Sequence, residues 1–513
     1  MPDTILSLIA AHPEAAPAIG APGRAWLSFG GLRAQAGRVA EALHAAGVGR
    51  NDRVAIVLPN GPEMAAAFVT VAGAATTCPL NPAYKAEEFA FYLEDLKAKA
   101  IILAEGEGGP AHAAATSLGL LVLRLSFDPA TPAGVFSLRA EGSTGSAGSA
   151  DTAAPGADDV ALILHTSGTT SRPKIVPLLQ ANVAASAANI GTALALSPAD
   201  RCMNVMPLFH IHGLIAAVSS SLAAGSSVWC APGFDALKFF GWLEEAQPTW
   251  YTAVPTMHQA ILSRAGRNAE TIAKVPLRLL RSSSASLPGP VMEALAATFK
   301  APVIESYGMT EATHQMASNP LPPRAQKPGS VGIEAGPLVR IADETDNRLI
   351  EGVGEVVISG ANVTPGYEGN PEANAKSFFE ADGRRWFRTG DQGTFDADGY
   401  LTLTGRLKEI INRGGEKVSP LEVDGILSAH PAIAQVVTFA LPHPKLGEEV
   451  AAAVVLKDGA EATEAQIRAF AGERLAAFKV PRKVVILDEI PKGATGKLQR
   501  IGLAAKLGLA VQA

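Results

Sequence analysis

The stretch "DVALILHTSGTTSRPK", residues 159–174, joins an apolar run to a loop of hydroxyl residues around one glycine. A short apolar run followed by turn residues is typical of a buried strand. The loop ends in Arg172, Pro173 and Lys174, so hydroxyl donors and positive charge follow the strand directly. Phosphate-binding loops of α/β proteins lie at the carboxyl ends of such strands. The spacing differs from that of a Walker A loop, so the stretch predicts an α/β sheet with a phosphate loop of another kind.

Helical and strand patterns alternate on the amino-terminal side of this stretch. Apolar residues at helical spacing predict a helix over 32–47, and short apolar runs predict strands near 52–57 and 100–105. Two further helices are expected over 62–74 and 85–99. Strands that alternate with helices indicate an α/β fold with parallel, doubly wound sheets.

The pattern changes towards the carboxyl terminus. Strands are expected at 354–360 and in a hairpin over 393–405 that turns at Asp398–Gly399. A small α+β unit follows, with helices near 420–430 and 464–475 and strands near 434–441, 449–456 and 483–487. We therefore expect a large domain over 1–405, with doubly wound sheets and a small β subdomain, and an α+β domain over 406–513. The Gly/Ala/Ser-rich segment 140–157 predicts a surface loop or linker.

Composition narrows the class of protein. The chain has 513 residues and a net charge of −6, whereas nucleic-acid-binding surfaces usually bring a basic excess. Its three cysteines, Cys78, Cys202 and Cys230, lie too far apart for a disulfide framework or a metal pair, which favours a reducing compartment. Histidines and serines interrupt the most apolar segment, 205–230, so we expect buried core rather than a membrane span. We expect a cytoplasmic monomer or homodimer with no nucleic-acid or membrane partner, and the start of the chain does not match a secretory signal.

Four further segments carry charged and hydroxyl residues. They are "ESYGMTEATH" (305–314), "WFRTGD" (386–391), "GRLKEIINRGGEKVSP" (405–420) and "PKGATGK" (491–497). In this order, together with loop 165–174, they resemble the motifs of the adenylate-forming superfamily of acyl-CoA synthetases, luciferases and peptide-synthetase adenylation domains. The resemblance covers nearly the whole chain. It implies that a carboxylate attacks the α-phosphate of ATP, releases pyrophosphate, and is then transferred from AMP to the thiol of CoA.

The resemblance also implies a role for each matching residue, since two anions that react with each other need preorganised positive charge and hydrogen-bond donors. Tyr307 is expected to stack on adenine, Thr310 to contact phosphate and Glu311 to bind Mg²⁺, which needs only one or two carboxylates when phosphates supply the other ligands. Asp391 resembles the acid that accepts both ribose hydroxyls, and Arg406 the arginine that contacts ribose and phosphate. The nucleotide site as a whole is expected to contain Thr166, Ser167, Gly168, Thr169, Thr170, Lys174, Tyr307, Gly308, Thr310, Asp391 and Arg406.

The C-terminal domain of the superfamily rotates between the two half-reactions, and this chain has the matching residues. Lys408 matches the hinge, and Lys497 matches the lysine that bridges the carboxylate and the α-phosphate. Gly414 and Gly415 are expected to line the tunnel for the CoA arm, because absent side chains leave room for a thiol. The resemblance makes Lys497, Thr310 and His210 the catalytic candidates.

Two positions depart from the common superfamily pattern. Ser171 and Ile175 stand where many members have glycine. Ser171 adds a donor but reduces backbone freedom. Ile175 predicts that the backbone after Lys174 does not need a positive φ.

Longer runs, among them "MPLFHIHGL" (206–214), "RSSSASL" (281–287) and "YGMTEATHQMASNPLP" (307–322), resemble oxalate–CoA ligases of plants and fungi. Oxalate is a small dianion, so its pocket must be small and polar. Arg281, Ser284, His314 and His210 are the candidate substrate-binding residues. Arg281 in a structural ion pair and His314 as a hydrogen-bonded core residue are open alternatives, and His212 is expected to be structural. Trp250 and Tyr251 are typical of core.

Other functions remain open at this stage. A CoA ligase for malonate or an aromatic acid of the 4-coumarate type would share the mechanism and differ only in its pocket. An adenylation enzyme that serves a free carrier protein would share the first half-reaction, as would a luciferase-type monooxygenase. A non-enzymatic scaffold would be expected to lack one of the charged groups Lys174, Glu311, Asp391, Arg406 and Lys497, all of which are present.

Overall fold

The computed structural model of the chain describes residues 2–142, 150–166, 173–491 and 498–509. These residues form four β-sheets, and helices cover the larger ones. The first sheet contains the strand that precedes the phosphate loop. In spatial order its strands are Ser137–Ala140, Leu121–Ser126, Ala100–Ala104, Arg53–Val57, Thr76–Pro79, Val160–Thr166 and Lys174–Leu179. The inner strands are parallel, and the strand at each edge runs antiparallel to its neighbour.

The second sheet is also mostly parallel. Its strands, in spatial order, are Ile333–Glu334, His314–Ser318, Val303–Met309, Leu279–Ser283, Trp250–Ala253, Arg201–Asn204, Ser227–Cys230, Pro17–Gly20 and Leu27–Ser28. The run from Val303–Met309 to Pro17–Gly20 is parallel throughout. Trp250 and Tyr251 are fully buried in its centre, which confirms the prediction that both belong to the core.

A continuous apolar core fills the space between the two large sheets. It joins strand residues of the first sheet, such as Ile56, to strand residues of the second, such as Val228. Helix Pro62–Ala72 lies in this space with all the apolar residues from Met64 to Ala72 buried, which explains its nearly uniform Ala/Val/Phe composition. The π-helix His212–Ser219 lies there too and is buried along its whole length. The prediction that segment 205–230 is core is therefore confirmed.

Two smaller sheets complete the fold. The third sheet is antiparallel and contains Leu349–Ile350, Leu338–Ala342, Gly354–Ser359, Arg384–Phe395, Phe378–Ala381 and Leu401–Arg406. The fourth contains Glu416–Val418, Ile411–Arg413, Gly447–Leu456, Ile433–His443 and Lys483–Ile486. The predicted hairpin at Asp398–Gly399 and the predicted α+β unit are both confirmed.

The helices agree with the sequence patterns. Ser28 begins the helix predicted over 32–47 by accepting a hydrogen bond from the Gly31 amide, 3.1 Å away, and Gly47 follows its end at φ +77°. The short 3₁₀ segments are Gly266–Asn268 and Thr310–Ala312. The described α-helices are Ser7–Ala10, Phe29–Ala45, Pro62–Ala72, Ala86–Asp95, Pro110–Ser117, Gln180–Ala193, Ser220–Ala223, Phe239–Ala246, Pro255–Ala265, Ala269–Lys274, Gly289–Phe299, Pro371–Ser377, Pro420–Ser428, Glu464–Gly472 and Leu503–Lys506.

The expected linker over 140–157 belongs to the first large domain. Ala140 ends a strand, and the Arg50 amide donates to the Asp151 carbonyl at 2.9 Å, so residues 150–157 begin against the body of that domain. Residues 143–149 lie outside the described part of the chain. Of the helices that are described, none is both long and apolar enough to cross a bilayer.

Candidate active site

The two ends of the phosphate loop lie opposite each other. Thr166 ends one strand, Lys174 begins the next, and the two are register partners in an antiparallel pair. Ser167, Gly168, Thr169 and Thr170 lie outside the described residues, as does Lys497. Ile175 continues a regular strand and is not among the residues with positive φ, which confirms the prediction made for it.

Lys174 lies next to a tyrosine and a carboxylate. Its amine is 4.1 Å from the centroid of the Tyr367 ring, and the Tyr367 hydroxyl donates to Glu311 Oε1 at 2.9 Å. Burial lowers the pKa of the Lys174 amine, Glu311 opposes that shift, and the positive charge of Lys408 adds to it. The predicted phosphate lysine, metal ligand and hinge residue thus share one electrostatic environment.

The position of Glu311 suits a hard cation that is held mainly by phosphate oxygens. Glu311 lies in the 3₁₀ segment Thr310–Ala312 and is nearly buried, and its backbone carbonyl accepts from the Thr364 amide at 2.8 Å. Within the described ranges, no group of three or more His, Cys, Asp or Glu side chains is arranged to hold a metal. One oriented carboxylate beside a phosphate site is the arrangement that Mg²⁺ needs when a nucleotide supplies its other ligands.

The predicted ribose and adenine residues form a second group. The Tyr307 hydroxyl donates to Asp391 Oδ2, and Arg406 Nε lies 3.3 Å from Asp391 Oδ1. Burial raises the pKa of Tyr307 well above its ordinary value, so this hydroxyl stays protonated and can donate. The charge of Asp391 raises the pKa of Arg406. The third sheet brings the acid and the arginine together, because Asp391 and Arg406 are register partners on adjacent strands.

The backbones of Gly308, a nucleotide-binding candidate, and His314, a substrate-binding candidate, lie in close contact. A side chain at Gly308 would place its Cβ 2.0 Å from the His314 carbonyl oxygen, so only glycine fits there. Thr313 and His314 themselves have φ values of +48° and +98°, a conformation that costs free energy in residues with a Cβ. This strain is located where the strands Val303–Met309 and His314–Ser318 turn into the site.

The acyl-side candidates converge around one buried arginine. Arg281 is fully buried, and its guanidinium lies 3.3 Å from Gln315 Oε1 and 3.4 Å from both Thr252 Oγ1 and His212 Nε2. All three neighbours are side chains without a formal negative charge. Burial lowers the pKa of Arg281 to about 9, which leaves the group cationic at neutral pH.

Among the described residues the side-chain partners of Arg281 are His212, Thr252 and Gln315, none of them a carboxylate, and its Nε there has no hydrogen-bond partner. The alternative that Arg281 serves in a structural ion pair is therefore wrong. A buried cation without a counter-ion is costly to the fold, and an anionic ligand can supply the missing charge.

His212, Ser284 and His314 surround this arginine. His212 Nδ1 lies 3.0 Å from Ser284 Oγ, and the His212 and His314 rings meet edge to face with centroids 5.1 Å apart. Ser284 has φ +74° and is partly exposed, whereas Arg281 and the two serines between them are buried. Ser284 is thus the partly exposed member of the segment that contains Arg281.

His210 lies two residues before the first residue of the π-helix, His212, and its Nδ1 accepts from the His212 amide at 3.4 Å. It therefore lies at the same end of the second sheet as the arginine group. Its catalytic and substrate-binding roles stay predictions, as do the contacts expected for Thr310.

The C-terminal candidates lie on the hinge and on a hairpin. The Leu407 amide donates to the Gly390 carbonyl at 2.9 Å, so the chain is still attached to the third sheet one residue before Lys408. Gly414 and Gly415 turn the hairpin Ile411–Arg413 and Glu416–Val418 with φ values of +59° and +95°. A side chain at either position would be strained. Their place along a CoA tunnel stays a prediction.

Three residues of this site were missed by sequence reasoning. Tyr367, Thr252 and Gln315 each contact a predicted residue, but nothing in their local patterns distinguishes them from core. Thr252 lies in the run "TWYTAVP" between two fully buried aromatic residues and an apolar turn. The register of adjacent strands, which pairs Thr252 with Arg281, was the information that the sequence lacked.

The fold combines two large, mostly parallel sheets with a small C-terminal α+β unit, and comparisons with known proteins assign it to a class. The model of the AMP-binding enzyme family matches residues 8–368, and that of its C-terminal domain matches residues 422–497. The chain therefore belongs to the AMP-binding enzyme family.

Individual members resemble it over most of their length. An oxalate–CoA ligase of Arabidopsis thaliana is 47% identical over 461 residues, 89% of this chain and 88% of the relative. An oxalate–CoA ligase of Saccharomyces cerevisiae is 43% identical over 472 residues, 88% of this chain and 86% of the relative. Among solved structures, ATP-bound MatB from Rhodopseudomonas palustris superposes with a TM-score of 0.85 at 30% identity and covers 97% of both chains.

Proposed function

We propose that this enzyme is an ATP-dependent oxalate–CoA ligase. One oxalate carboxylate oxygen attacks the α-phosphorus of ATP, the bond from that phosphorus to the bridging oxygen breaks, and pyrophosphate leaves. The sulfur of CoA then attacks the acyl carbon of oxalyl-adenylate, the carbon–oxygen bond to AMP breaks, and the thiol proton is lost to solvent. Two of the relatives named above act on oxalate, which supports the choice of acid.

The observation that carries the proposal is the buried, uncompensated guanidinium of Arg281. Oxalate has a second carboxylate one bond from the reacting one and no apolar body. A cation, a partly exposed hydroxyl at Ser284 and the imidazole of His314 form a small polar receptor of the kind that a second carboxylate needs. A pocket for an aromatic or long-chain acid would instead be lined mainly with apolar side chains.

The remaining groups serve the nucleotide. Lys174 places positive charge at the β- and γ-phosphates, Tyr307 stacks on adenine, and Asp391 accepts the ribose hydroxyls. Glu311 would hold Mg²⁺, which would supply further positive charge to the phosphates. Arg406 brings positive charge from the hinge, and Lys497 brings it from the C-terminal domain. Thr310 contacts phosphate. Lys408, Gly414 and Gly415 serve the second half-reaction, in which the C-terminal domain has rotated and CoA is the acceptor.

The enzyme works as a monomer or homodimer without a nucleic-acid or membrane partner. A reducing compartment such as the cytoplasm fits its three cysteines, which are free thiols buried in the core. In such a compartment they would remain reduced.

The test is pyrophosphate release with ATP, Mg²⁺ and CoA across oxalate, malonate, glyoxylate, acetate, 4-coumarate and octanoate, with the acyl-CoA products identified by mass. We expect oxalate to have the highest kcat/KM. A higher value for malonate would assign the site to a larger diacid. A higher kcat/KM for 4-coumarate or octanoate would overturn the proposal that Arg281, Ser284 and His314 bind a dianion.

A further inference from the structure

Four side chains form a hydrogen-bonded series from the buried Arg281 to the partly exposed Ser284. Arg281 Nη1 lies 3.4 Å from Thr252 Oγ1 and 3.4 Å from His212 Nε2. Thr252 Oγ1 lies 2.6 Å from the same His212 nitrogen, and His212 Nδ1 lies 3.0 Å from Ser284 Oγ. The series crosses adjacent strands, since Thr252 and Arg281 are register partners.

The chemistry of arginine decides the protonation of His212. A guanidinium donates hydrogen bonds and cannot accept them. Both Thr252 Oγ1 and His212 Nε2 therefore face a donor, and a proton on Nε2 would point towards a positive charge. Nε2 is then the acceptor, Thr252 donates its hydroxyl proton to it, and the single imidazole proton resides on Nδ1.

This arrangement in turn orients Ser284. Nδ1–H donates to Ser284 Oγ, so the serine oxygen is occupied as an acceptor and its own proton is available to a ligand. Ser284 makes no other hydrogen bond within the described residues. Ser284 is partly exposed, so that proton is accessible to a ligand. With the opposite tautomer, Ser284 would donate to His212 and present lone pairs to an anionic substrate.

We propose that Thr252 is a positioning residue which, with the positive charge of Arg281 beside it, fixes His212 as the Nδ1–H tautomer, so that Ser284 presents its hydroxyl proton to the distal carboxylate of the acid. The inference deepens the proposed function and rests on it only for the identity of the acid. His212, which the sequence marked as structural, thereby becomes a specificity-determining residue.

The tautomer of His212 can be measured in the wild-type enzyme. In protein labelled with ¹⁵N-histidine, long-range ¹H–¹⁵N spectra distinguish Nδ1–H from Nε2–H, and loss of one spin system in His212→Gln assigns the residue. We expect Nδ1–H at neutral pH, both without substrate and with a nonhydrolysable ATP analogue. A proton on Nε2, or an imidazolium, would overturn the proposal whatever acid the enzyme uses.

The functional consequence is tested at Thr252. Thr252→Val keeps the shape and removes the hydroxyl, whereas Thr252→Ser keeps the hydroxyl. We expect Thr252→Val to raise the KM for the acid about tenfold, the effect of weakening one hydrogen bond to a charged group, with the KM for ATP unchanged and the His212 tautomer altered. Thr252→Ser should keep the KM for the acid and the His212 tautomer as in the wild type.

Thr77→Val is the matched control. Thr77 is also a fully buried strand threonine, and its hydroxyl donates to the Ala161 carbonyl at 2.7 Å in the other large sheet. It should lower stability without changing the KM for the acid. An equal KM effect at Thr77, or no effect at Thr252 in a folded variant with an altered tautomer, would contradict the positioning role. If the wild type prefers another acid but His212 is Nδ1–H, the assignment of oxalate is wrong, whereas the proposed role of the hydrogen-bonded series is retained.

Discussion

At the scale of single residues, the site depends on groups that are held in unusual electrostatic surroundings. Arg281 has neutral neighbours, Lys174 lies over an aromatic ring, and Tyr307 donates to a carboxylate. The sequence identified all three as candidates from their motifs. It did not identify their partners, because those come from other strands and depend on sheet register.

Tyr367 offers a direct test of how Glu311 is oriented. Tyr367→Phe keeps the ring next to Lys174 and removes the hydroxyl that donates to Glu311. We expect adenylation to slow about tenfold, because the carboxylate loses one hydrogen bond that fixes it, and the Mg²⁺ concentration for half-maximal rate to rise. ATP–pyrophosphate exchange across a Mg²⁺ series measures both.

The control for that variant is Tyr400→Phe. The Tyr400 hydroxyl donates to the Ala325 carbonyl at 2.8 Å and contacts none of the candidate site residues in the described part of the chain. It should leave the Mg²⁺ dependence unchanged. A Tyr367→Phe enzyme with a wild-type Mg²⁺ profile would mean that Glu311 is not the metal ligand.

Glu305 predicts a pH dependence of stability. Burial raises its pKa to about 8 from an ordinary value of 4.5, with one oxygen accepting from the Leu287 amide. The folded state therefore holds a proton that the unfolded state releases, so stability falls as pH rises from 4.5 to about 8 and is level above that. The loss is a few kcal/mol, since one pKa unit corresponds to about 1.4 kcal/mol.

Urea denaturation at pH 5 and pH 8 measures this loss. Glu305→Gln should make the difference between the two free energies of unfolding smaller, whereas Glu293→Gln on the exposed surface should leave it as in the wild type. Parallel profiles for the wild type and Glu305→Gln would show that Glu305 is ionised in the fold.

At the scale of elements, local patterns predicted several of the helices and strands but not which strands lie side by side. The run at 53–57 reads as a strand from five residues alone, whereas strand Pro17–Gly20 pairs with Ser227–Cys230 from far along the chain. Long-range pairing depends on the fit of whole faces, which no short window contains. The antiparallel strand Lys174–Leu179 was missed for the same reason, since its role is set by the strand it returns beside.

The close contact between the strands at Gly308 and His314 leads to a prediction about substitution of the glycine. Gly308→Ala would place a methyl group 2.0 Å from the His314 carbonyl oxygen, so one of the two strands must move. We expect loss of most adenylation activity and a lower melting temperature. Gly37→Ala is the control, because its Cβ would meet nothing within 4 Å and lies within helix Phe29–Ala45, where alanine favours the helix by about 1 kcal/mol. A Gly308→Ala enzyme with normal activity would show that the two strands can separate at no cost to the site.

At the scale of the whole molecule, the hydrophobic clusters divide near residue 406. In the described ranges, the clusters of the large sheets end with Leu401 and Leu403, and the clusters of the C-terminal unit begin with Ile411. Polar contacts cross this boundary, such as Gln259 Nε2 donating to the Ala434 carbonyl at 3.1 Å and Lys417 pairing with Glu344 at 2.6 Å. Polar contacts of this kind can be exchanged without exposing core.

We therefore expect the protein to unfold in two steps. Limited proteolysis should cut first near residues 406–410, and calorimetry should resolve two transitions, of which ATP raises mainly the one that belongs to the large domain. A single transition with no cleavage near the hinge would contradict the boundary predicted at 405 and 406.

The central claim is that the buried guanidinium of Arg281 recognises a second negative charge. The most direct measurement compares kcat/KM for oxalate with that for oxamate, which has the same shape and a neutral amide in place of the distal carboxylate, in the wild type and in Arg281→Met. The account predicts a preference for oxalate of at least about tenfold in the wild type, the effect of one charge-assisted hydrogen bond, and its loss in the folded variant. An Arg281→Met enzyme that still prefers oxalate to the same degree would contradict it.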